Sequence, residues 1–377
     1  MHSDHFAENV FTTREQELLL QAALKSGEAA LDAWRQWLDC TNIENEIDHG
    51  SFRLLPLLFY NLKRQDIDHP IMNQLKGIYR HAWSNNHKLF FELGNLLKHL
   101  NNAGIPSMVL KGAALTIETY QNFAIRPMAD IDILVWEKQA DQVNALLRQT
   151  GWSSSGGDQS LKMDLKYRHS LNFVNHAGFA FDLHWHPVKD SSIVAGEKHF
   201  DQLFWQHAVP IKIAEEPTLA PGRPESLFLV IIHGTWHNVE PPIRWIADAV
   251  FLINSFENDD EWARFLLHVK NYGVPLQIKR ALIYLKEKFD AAIPAAVFNA
   301  LNQMRPALPQ HLVFHCSLRR AKRGWHSIIS RIPGIVEYLR VSGNRGWPKL
   351  LAGFPEYATY RMHKKTLKDL MAYLRSN

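Results

Sequence analysis

The stretch Ser107–Val135, SMVLKGAALTIETYQNFAIRPMADIDILV, decides how this chain is read. Met108, Val109 and Leu110 make a short apolar strand, Lys111-Gly112 a turn, and Ala113 to Tyr120 a short helix of small and apolar residues. Arg126-Pro127 ends the loop that follows, and Asp130 to Val135 reads as a second strand. Strand side chains alternate between faces, so the carboxylates of Asp130 and Asp132, two positions apart, share one side. Two acids on one side of an apolar strand repel one another and lose hydration. A divalent cation relieves both costs.

Upstream, the pattern is helical. Thr13 is placed to cap a helix in which Leu18, Leu19, Ala22, Ala23, Leu31 and Trp34 recur at helical spacing, with a break at Gly27. Phe52 to Leu62 carries a second apolar stripe. Pro70 opens a long third one, through Leu100, that stops at Gly104. Residues 1–104 therefore read as an N-terminal helical segment.

Downstream, Lys138 to Gln149 is an amphipathic helix closing at Gly151, and Ser153 to Gly157 is a flexible loop. Ser170 to Val174 and Phe179 to Trp185 alternate on either side of the turn Asn175-His176-Ala177-Gly178, which makes a hairpin. In its second strand Phe179, Phe181, Leu183 and Trp185 take one face, and Ala180, Asp182 and His184 the other. A third carboxylate thus reaches the neighbourhood of the first two. From about Lys198 helices dominate again. Pro224 and Pro241-Pro242 each start one, and Asp248 lies on a helix that is otherwise apolar. Asp248 is read first as a buried acid paired with an Arg or Lys, and second as a group lining the cleft.

The 377 residues suffice for two or three domains. Of 42 basic and 38 acidic residues, 13 basic and 3 acidic ones fall from Arg319 onward, which leaves the rest net −6. A basic tail of residues 319–377, interleaved with Trp and Tyr, suits an anionic partner, whether RNA or a membrane surface; the plain alternative is a solvated helical tail. The two cysteines, Cys40 and Cys316, form no CxxC pair, which fits a reducing compartment. With neither a leader pattern nor an apolar run of membrane-spanning length, the expected location is cytoplasmic, peripheral to the membrane if the tail docks there. None of the 20 histidines has HExxH spacing.

A strand, a glycine turn and a helix start offer free backbone N–H groups to phosphate, and Lys111 and Arg126 add positive charge. Asp130, Asp132 and Asp182 suit two divalent ions. Neither the Lys-Gly turn nor the Asp-x-Asp strand is decisive alone; the ordered set is more telling. It resembles the nucleotidyltransferase superfamily that includes DNA polymerase beta. More closely, Leu110 to Leu115, Arg126 to Val135 and Asp182 to Trp185 resemble a bacterial family known only as uncharacterised nucleotidyltransferases. His233-Gly234 with Trp236, and Arg244 to Asp248, resemble its helical half, so the likeness runs over about residues 70–270. The turn departs from the wider superfamily in reading Lys-Gly-Ala rather than Gly-Gly or Gly-Ser.

This resemblance implies an α+β fold: a small mixed sheet of residues 105–197 as the nucleotidyltransferase core, preceded by the helical segment and followed by a helical substrate-binding domain of residues 198–318 and the tail. It implies transfer of a nucleoside monophosphate from an NTP, ATP among them, to a hydroxyl of a small molecule, sugar, RNA or protein, with release of pyrophosphate. Asp130, Asp132 and Asp182 would be the catalytic and metal-binding residues for two Mg²⁺ ions, with Mn²⁺ as a substitute. Lys111, Gly112 and Arg126 would contact phosphate. Arg244 and Asp248 would support the site. His184 would orient a carboxylate, touch the nucleotide or serve as a structural histidine; His169 and His186 are weaker candidates. The rival readings are a toxin- or antitoxin-like transferase acting on tRNA or protein, and a nucleotide-binding scaffold without turnover.

Overall fold

The first helix begins with the cap that the sequence predicts. Thr13 Oγ1 accepts the Gln16 amide N–H while the Gln16 side chain accepts that of Thr13, so two helix-end donors are satisfied reciprocally. The computed structural model describes residues 11–41, 47–154, 161–188, 198–235, 243–306, 338 and 347–361. Helices α1 (Arg14–Leu24) and α2 (Gly27–Cys40) are divided at Gly27, whose φ of +61° is left-handed. The second stripe folds as α3 (His49–Phe52) and α4 (Leu55–Arg64), and the third as the 32-residue α5 (Ile71–Asn102).

The sheet follows. Its elements are β1 (Met108–Leu110), α6 (Lys111–Leu115, running on as a π turn to Tyr120), β2 (Asp132–Leu134), α7 (Ala140–Gln149), β3 (Trp152–Ser154), α8 (Leu161–Tyr167), β4 (Ser170–Asn175), β5 (Ala180–His184), α9 (Gln202–Gln206), β6 (Val209–Ile213) and β7 (Glu216–Ala220). The seven strands lie in the order β3-β4-β5-β2-β1-β7-β6. β1 runs antiparallel to β2 and parallel to β7, and β2 runs parallel to β5, so the sheet is mixed. Then come α10 (Arg223–Gly234), α11 (Arg244–Asn254), α12 (Asp259–Asn271), α13 (Pro275–Phe289) and α14 (Ala295–Gln303). The architecture is the α+β arrangement expected.

Three expectations change. The second strand starts at Asp132, not Asp130, because β1 offers only Met108 to Leu110 as partners and the chain then turns away at Lys111, φ +47°. Ser153 and Ser154 are strand rather than loop, paired with Val174 and Phe173; residues 155–160 lie outside the described residues. The sheet also continues past residue 197, where the sequence reading ends the core, because the β6–β7 hairpin joins it beside β1. The hairpin turns through Ala214 and Glu215, both at positive φ. Such turns ordinarily use Asn or Gly, so the sequence carried no turn signal. Gly94 of α5 makes room for it: a Cβ there would lie 2.6 Å from the Cβ of Ala214.

Alternation along the strands sorts the two faces. Val109, Ile133, Phe181 and Leu183 pack in one core with α5 and α7. Met108, Leu110 and Leu134 join a second core with α1, α2, α4 and α10 to α14. Asp132, Asp182 and His184 share parity with Leu134 through the register Asp132↔Asp182 and Leu134↔His184. The polar residues therefore face the helical half. Of the tail, α15 (Trp347–Arg361) packs on α8 through Tyr357 and Tyr360 against Tyr167, with Lys166 Nζ 2.9 Å from Glu356. The rest of the tail, apart from Tyr338, lies outside the described residues, and with it most of the expected anion footprint. No helix among the described residues is long and apolar enough to cross a membrane.

Two glycines test this packing. A Cβ on Gly234 would fall 2.1 Å from Trp245 Cγ, whereas one on Gly77, inside α5, would meet nothing within 4 Å. Gly234→Ala should destabilise by about 1–3 kcal/mol through overpacking of α10 on α11. Gly77→Ala should stabilise by about 0.5–1 kcal/mol through helix propensity. Urea unfolding of the two variants gives both signs.

Candidate functional site

Asp132 is the centre of the polar cluster. It is buried at the start of β2, and its Oδ1 accepts from Lys111 Nζ at 2.7 Å and from His184 Nε2 at 2.8 Å. Lys111 reaches it because β1 ends there in a left-handed residue, a conformation that costs a non-glycine residue about 1–2 kcal/mol. Burial would raise the Asp132 carboxyl, but Lys111 and His184 outweigh it and hold the group far below the usual carboxylate range. Asp182 lies directly beside Asp132 on β5, half-buried, with its Oδ1 accepting from Asn172 at 3.0 Å. Ligand atoms of Asp132, Asp182 and His184 all fall within 4.8 Å of one another.

Asp130 lies outside the strand and is exposed. Its carboxyl is nonetheless pushed up, first by desolvation and then by Asp132, with Lys111 opposing and Asp182 adding to the rise. Asp130 thus sits in the field of the other two acids without standing next to them in register.

Beneath this cluster Arg126 is committed elsewhere. It is buried, and its Nε and Nη2 donate to Asp248 Oδ1 and Oδ2, each at 2.8 Å. Tyr120 also donates to Asp248 Oδ1, at 2.7 Å. The expected phosphate contact is therefore a buried fork between the sheet loop and α11, and Asp248 takes the paired-acid role first suggested for it. Burial opposes both charges, yet Asp248 holds Arg126 above its ordinary value and Arg126 holds Asp248 below. Gly112 has a steric reason for being glycine. A Cβ there would lie 2.4 Å from Arg126 Nη1 and 3.0 Å from Met128 Sδ. The loop that carries Arg126 is pinned by Asn86 of α5, which donates to the Phe123 and Arg126 carbonyls and accepts the Met128 amide. Asn86 lies inside an amphipathic helix pattern, and nothing in the sequence marked it.

Three further groups lie in the electrostatic field of the cluster. Arg244 Nη1 donates to the Pro127 carbonyl, and burial, then Arg126, pull its guanidinium down to about 9. Arg53, between α3 and α4, is lowered by burial; Asp130 favours its charge and Arg126 opposes it. It makes no ion pair among the described residues. His233, exposed on the last turn of α10, is pushed down to about 4, first by Lys111 and then by desolvation. Two guanidiniums, Arg126 and Arg244, thus share the buried Asp248 carboxylate, and Arg53 and Arg244 add positive charge in the field of Asp130. Arg53 was missed because it sits in an apolar stripe; His233 appeared in the sequence only as part of a resemblance. His186 pairs instead with Asp201 at 2.6 Å, and the His169 ring packs on that of His184 at 5.2 Å.

The donor set of Asp132 and Asp182, with Asp130 nearby, fits a hard divalent cation, and the surplus of Arg and Lys fits phosphate. Residues 51–290 match the model of a family described as "Uncharacterised nucleotidyltransferase". Among solved structures, the antibiotic-resistance factor ANT(2'')-Ia is similar at 10% identity, over 50% of this chain and 94% of that one, with a TM-score of 0.36. An antigenic nucleotidyltransferase-like protein from Paracoccidioides brasiliensis is similar at 13% identity, over 58% and 94%, with a TM-score of 0.35. At such TM-scores neither likeness bears on this chain's fold or substrate. A comparison with curated proteins finds no match.

Asp248→Asn, which leaves Arg126 buried without its counter-charge, should cost about 3–5 kcal/mol. The Asp248 carboxyl is depressed in the folded chain, so its stabilisation is complete above the unfolded value of about 4 and drains as pH falls through the folded one. The gap in unfolding free energy between wild type and variant should therefore hold from pH 7 to 5 and narrow below pH 4. Urea titrations across that range measure it.

Proposed function

We propose, from the premise that this chain belongs to the uncharacterised nucleotidyltransferase family, that it transfers a nucleoside monophosphate from an NTP to a hydroxyl acceptor with release of pyrophosphate. The observation that carries the reading is charge: beside the acids of β2 and β5, with Lys111 already bound to Asp132, Arg53 and Arg244 act on Asp130 and neither makes an ion pair among the described residues. A polyphosphate bound to a divalent cation supplies both missing partners.

Asp132 and Asp182, with Asp130, would hold Mg²⁺, and His184 fixes the orientation of Asp132 through its 2.8 Å contact. When bound, the ion neutralises charge on the phosphates and lowers the pKa of the acceptor hydroxyl. Arg53 and Arg244 hold phosphate oxygens. Their desolvated guanidiniums lose less hydration on binding an anion than exposed ones would. Lys111 sits between the two sets, neutralising Asp132 and standing close enough to depress His233. In the reaction the acceptor oxygen forms a bond to the α-phosphorus as the bond to the pyrophosphate oxygen breaks. The hydroxyl proton passes to a carboxylate, the role proposed for Asp182, and the Asn172 hydrogen bond to its Oδ1 supports that reading by fixing its orientation.

Incubation with α-labelled NTPs, Mg²⁺ and cell extract should label an acceptor with wild type but not with Asp132→Ala or Asp182→Ala. Equal labelling by the carboxylate variants would remove the reading. Arg53→Ala should weaken NTP binding about 10–100-fold, the worth of one charged hydrogen bond to phosphate, while leaving the fold intact by circular dichroism.

A further inference from the structure

A second cluster lies apart from the cleft residues, where α9, α10 and α12 meet. Glu225, in the first turn of α10, has no exposed surface. Its Oε1 lies 3.1 Å from His207 Nδ1 and 3.1 Å from His268 Nε2. Its Oε2 accepts from Arg264 Nη2, one turn before His268 on α12. We propose that His207, Glu225 and His268 form a zinc site, with the fourth position open to water on the His207 side.

Geometry, burial and donor chemistry agree on this. The three ligand atoms fall within 4.8 Å of one another. Two donors bound tetrahedrally at about 2.0–2.1 Å stand roughly 3.3 Å apart, close to both separations from Glu225 Oε1. Two imidazole nitrogens and one carboxylate oxygen suit Zn²⁺ and not Mg²⁺, which prefers oxygen alone. Arg264 orients the carboxylate through both oxygens, its Nη2 on Oε2 and its Nε on Oε1 at 3.3 Å, an outer-shell contact to a metal-binding carboxylate. His268 is held on three sides by the rings of Phe204, Phe228 and Tyr272, with centroids 4.8, 5.5 and 6.3 Å away. Its Nδ1 has no partner, so the polar attachment of the ring is the Nε2 side that faces Glu225. His207 keeps 29% of its side chain exposed, which gives an ion a way in. Gly222 preserves the space: a Cβ there would lie 2.6 Å from Glu225 Oε2, 2.7 Å from Arg264 Nη2 and 3.0 Å from the His207 carbonyl.

The site would clip the segment leading into β6 to two helices of the helical half. Its role is structural, so it stands whether or not the cleft transfers nucleotides. The test uses the full chain carrying Asp132→Ala and Asp182→Ala, which removes the cleft's own metal ligands. After chelator treatment this protein should take up one Zn²⁺ per chain, show the visible absorption of tetrahedral Co²⁺ on substitution, and melt at a higher temperature with Zn²⁺ than without. Adding His207→Ala, at a position 29% exposed, should weaken Zn²⁺ at least tenfold and abolish the Zn²⁺-dependent rise in melting temperature. Circular dichroism confirms that the variant is folded. Absence of Zn²⁺ uptake and of the Co²⁺ band, or a band that survives His207→Ala unchanged, overturns the proposal.

Discussion

The buried fork between Arg126 and Asp248 is the constraint on which the arrangement of this molecule depends. It joins the loop before β2 to α11, and so the sheet to the helical half, at a point where both partners are almost wholly removed from water. A buried pair of this kind adds little net stability compared with apolar groups of the same shape, but breaking it strands a charge. It therefore acts as a registration device. Gly112 is bare so that the guanidinium can pass, Tyr120 completes the carboxylate's hydrogen bonds, and Asn86 fixes the backbone on either side of Arg126. Each of these loses its reason if the fork is absent.

The second consequence of the fork is electrostatic. Arg126 takes both oxygens of Asp248 and leaves Arg244 beside a second guanidinium, with the Pro127 carbonyl as its one hydrogen-bond acceptor among the described residues. Arg244 and Arg53 are both held below the ordinary arginine value by desolvation and by Arg126. A folded chain that keeps such charges close together stores repulsion that an anion would relieve. Asp130 is raised first by desolvation and then by Asp132, with Asp182 adding to the rise, so the acids carry an imbalance of the opposite sign. Lys111 binds Asp132 and lies close enough to depress His233, and its left-handed backbone marks local strain where the chain sets a cation against the acids.

The parts legible in the sequence are those that follow from periodicity. The cap at Thr13, the break at Gly27, the long α5, and the hairpin that sets Asp182 and His184 on one face all follow from spacing that a helix or strand enforces. Asp132 and Asp182 come side by side because both lie on apolar strands whose partner faces are fixed by burial. What periodicity could not supply is the partner of a charge. Arg126 reads as a phosphate ligand until Asp248, 122 positions later, is seen to occupy it. The extent of β2 depended on the length of β1, and the β6–β7 hairpin on a turn of Ala214 and Glu215 that no residue signal marks. Arg53 was hidden because its apolar neighbours, not its own type, dominate the local pattern.

The β6–β7 hairpin also changes how the two halves are to be understood. β7 runs beside β1, the strand that delivers Lys111, and only Pro221 and Gly222 separate its end from α10. The helix that carries His233 is thus held by a short tether to the strand next to the one that carries Lys111. Gly234 then lets α11 pack directly on α10, and α11 brings Arg244 and Asp248 back to the loop before β2. The path from Lys111 through the sheet, α10, α11 and the fork to Arg126 closes on itself within one packed unit. A change in the spacing of α10 and α11 must therefore shift Arg244 and strain the fork together. This is the physical reason to treat the sheet and the first two helices after it as a single site-bearing body.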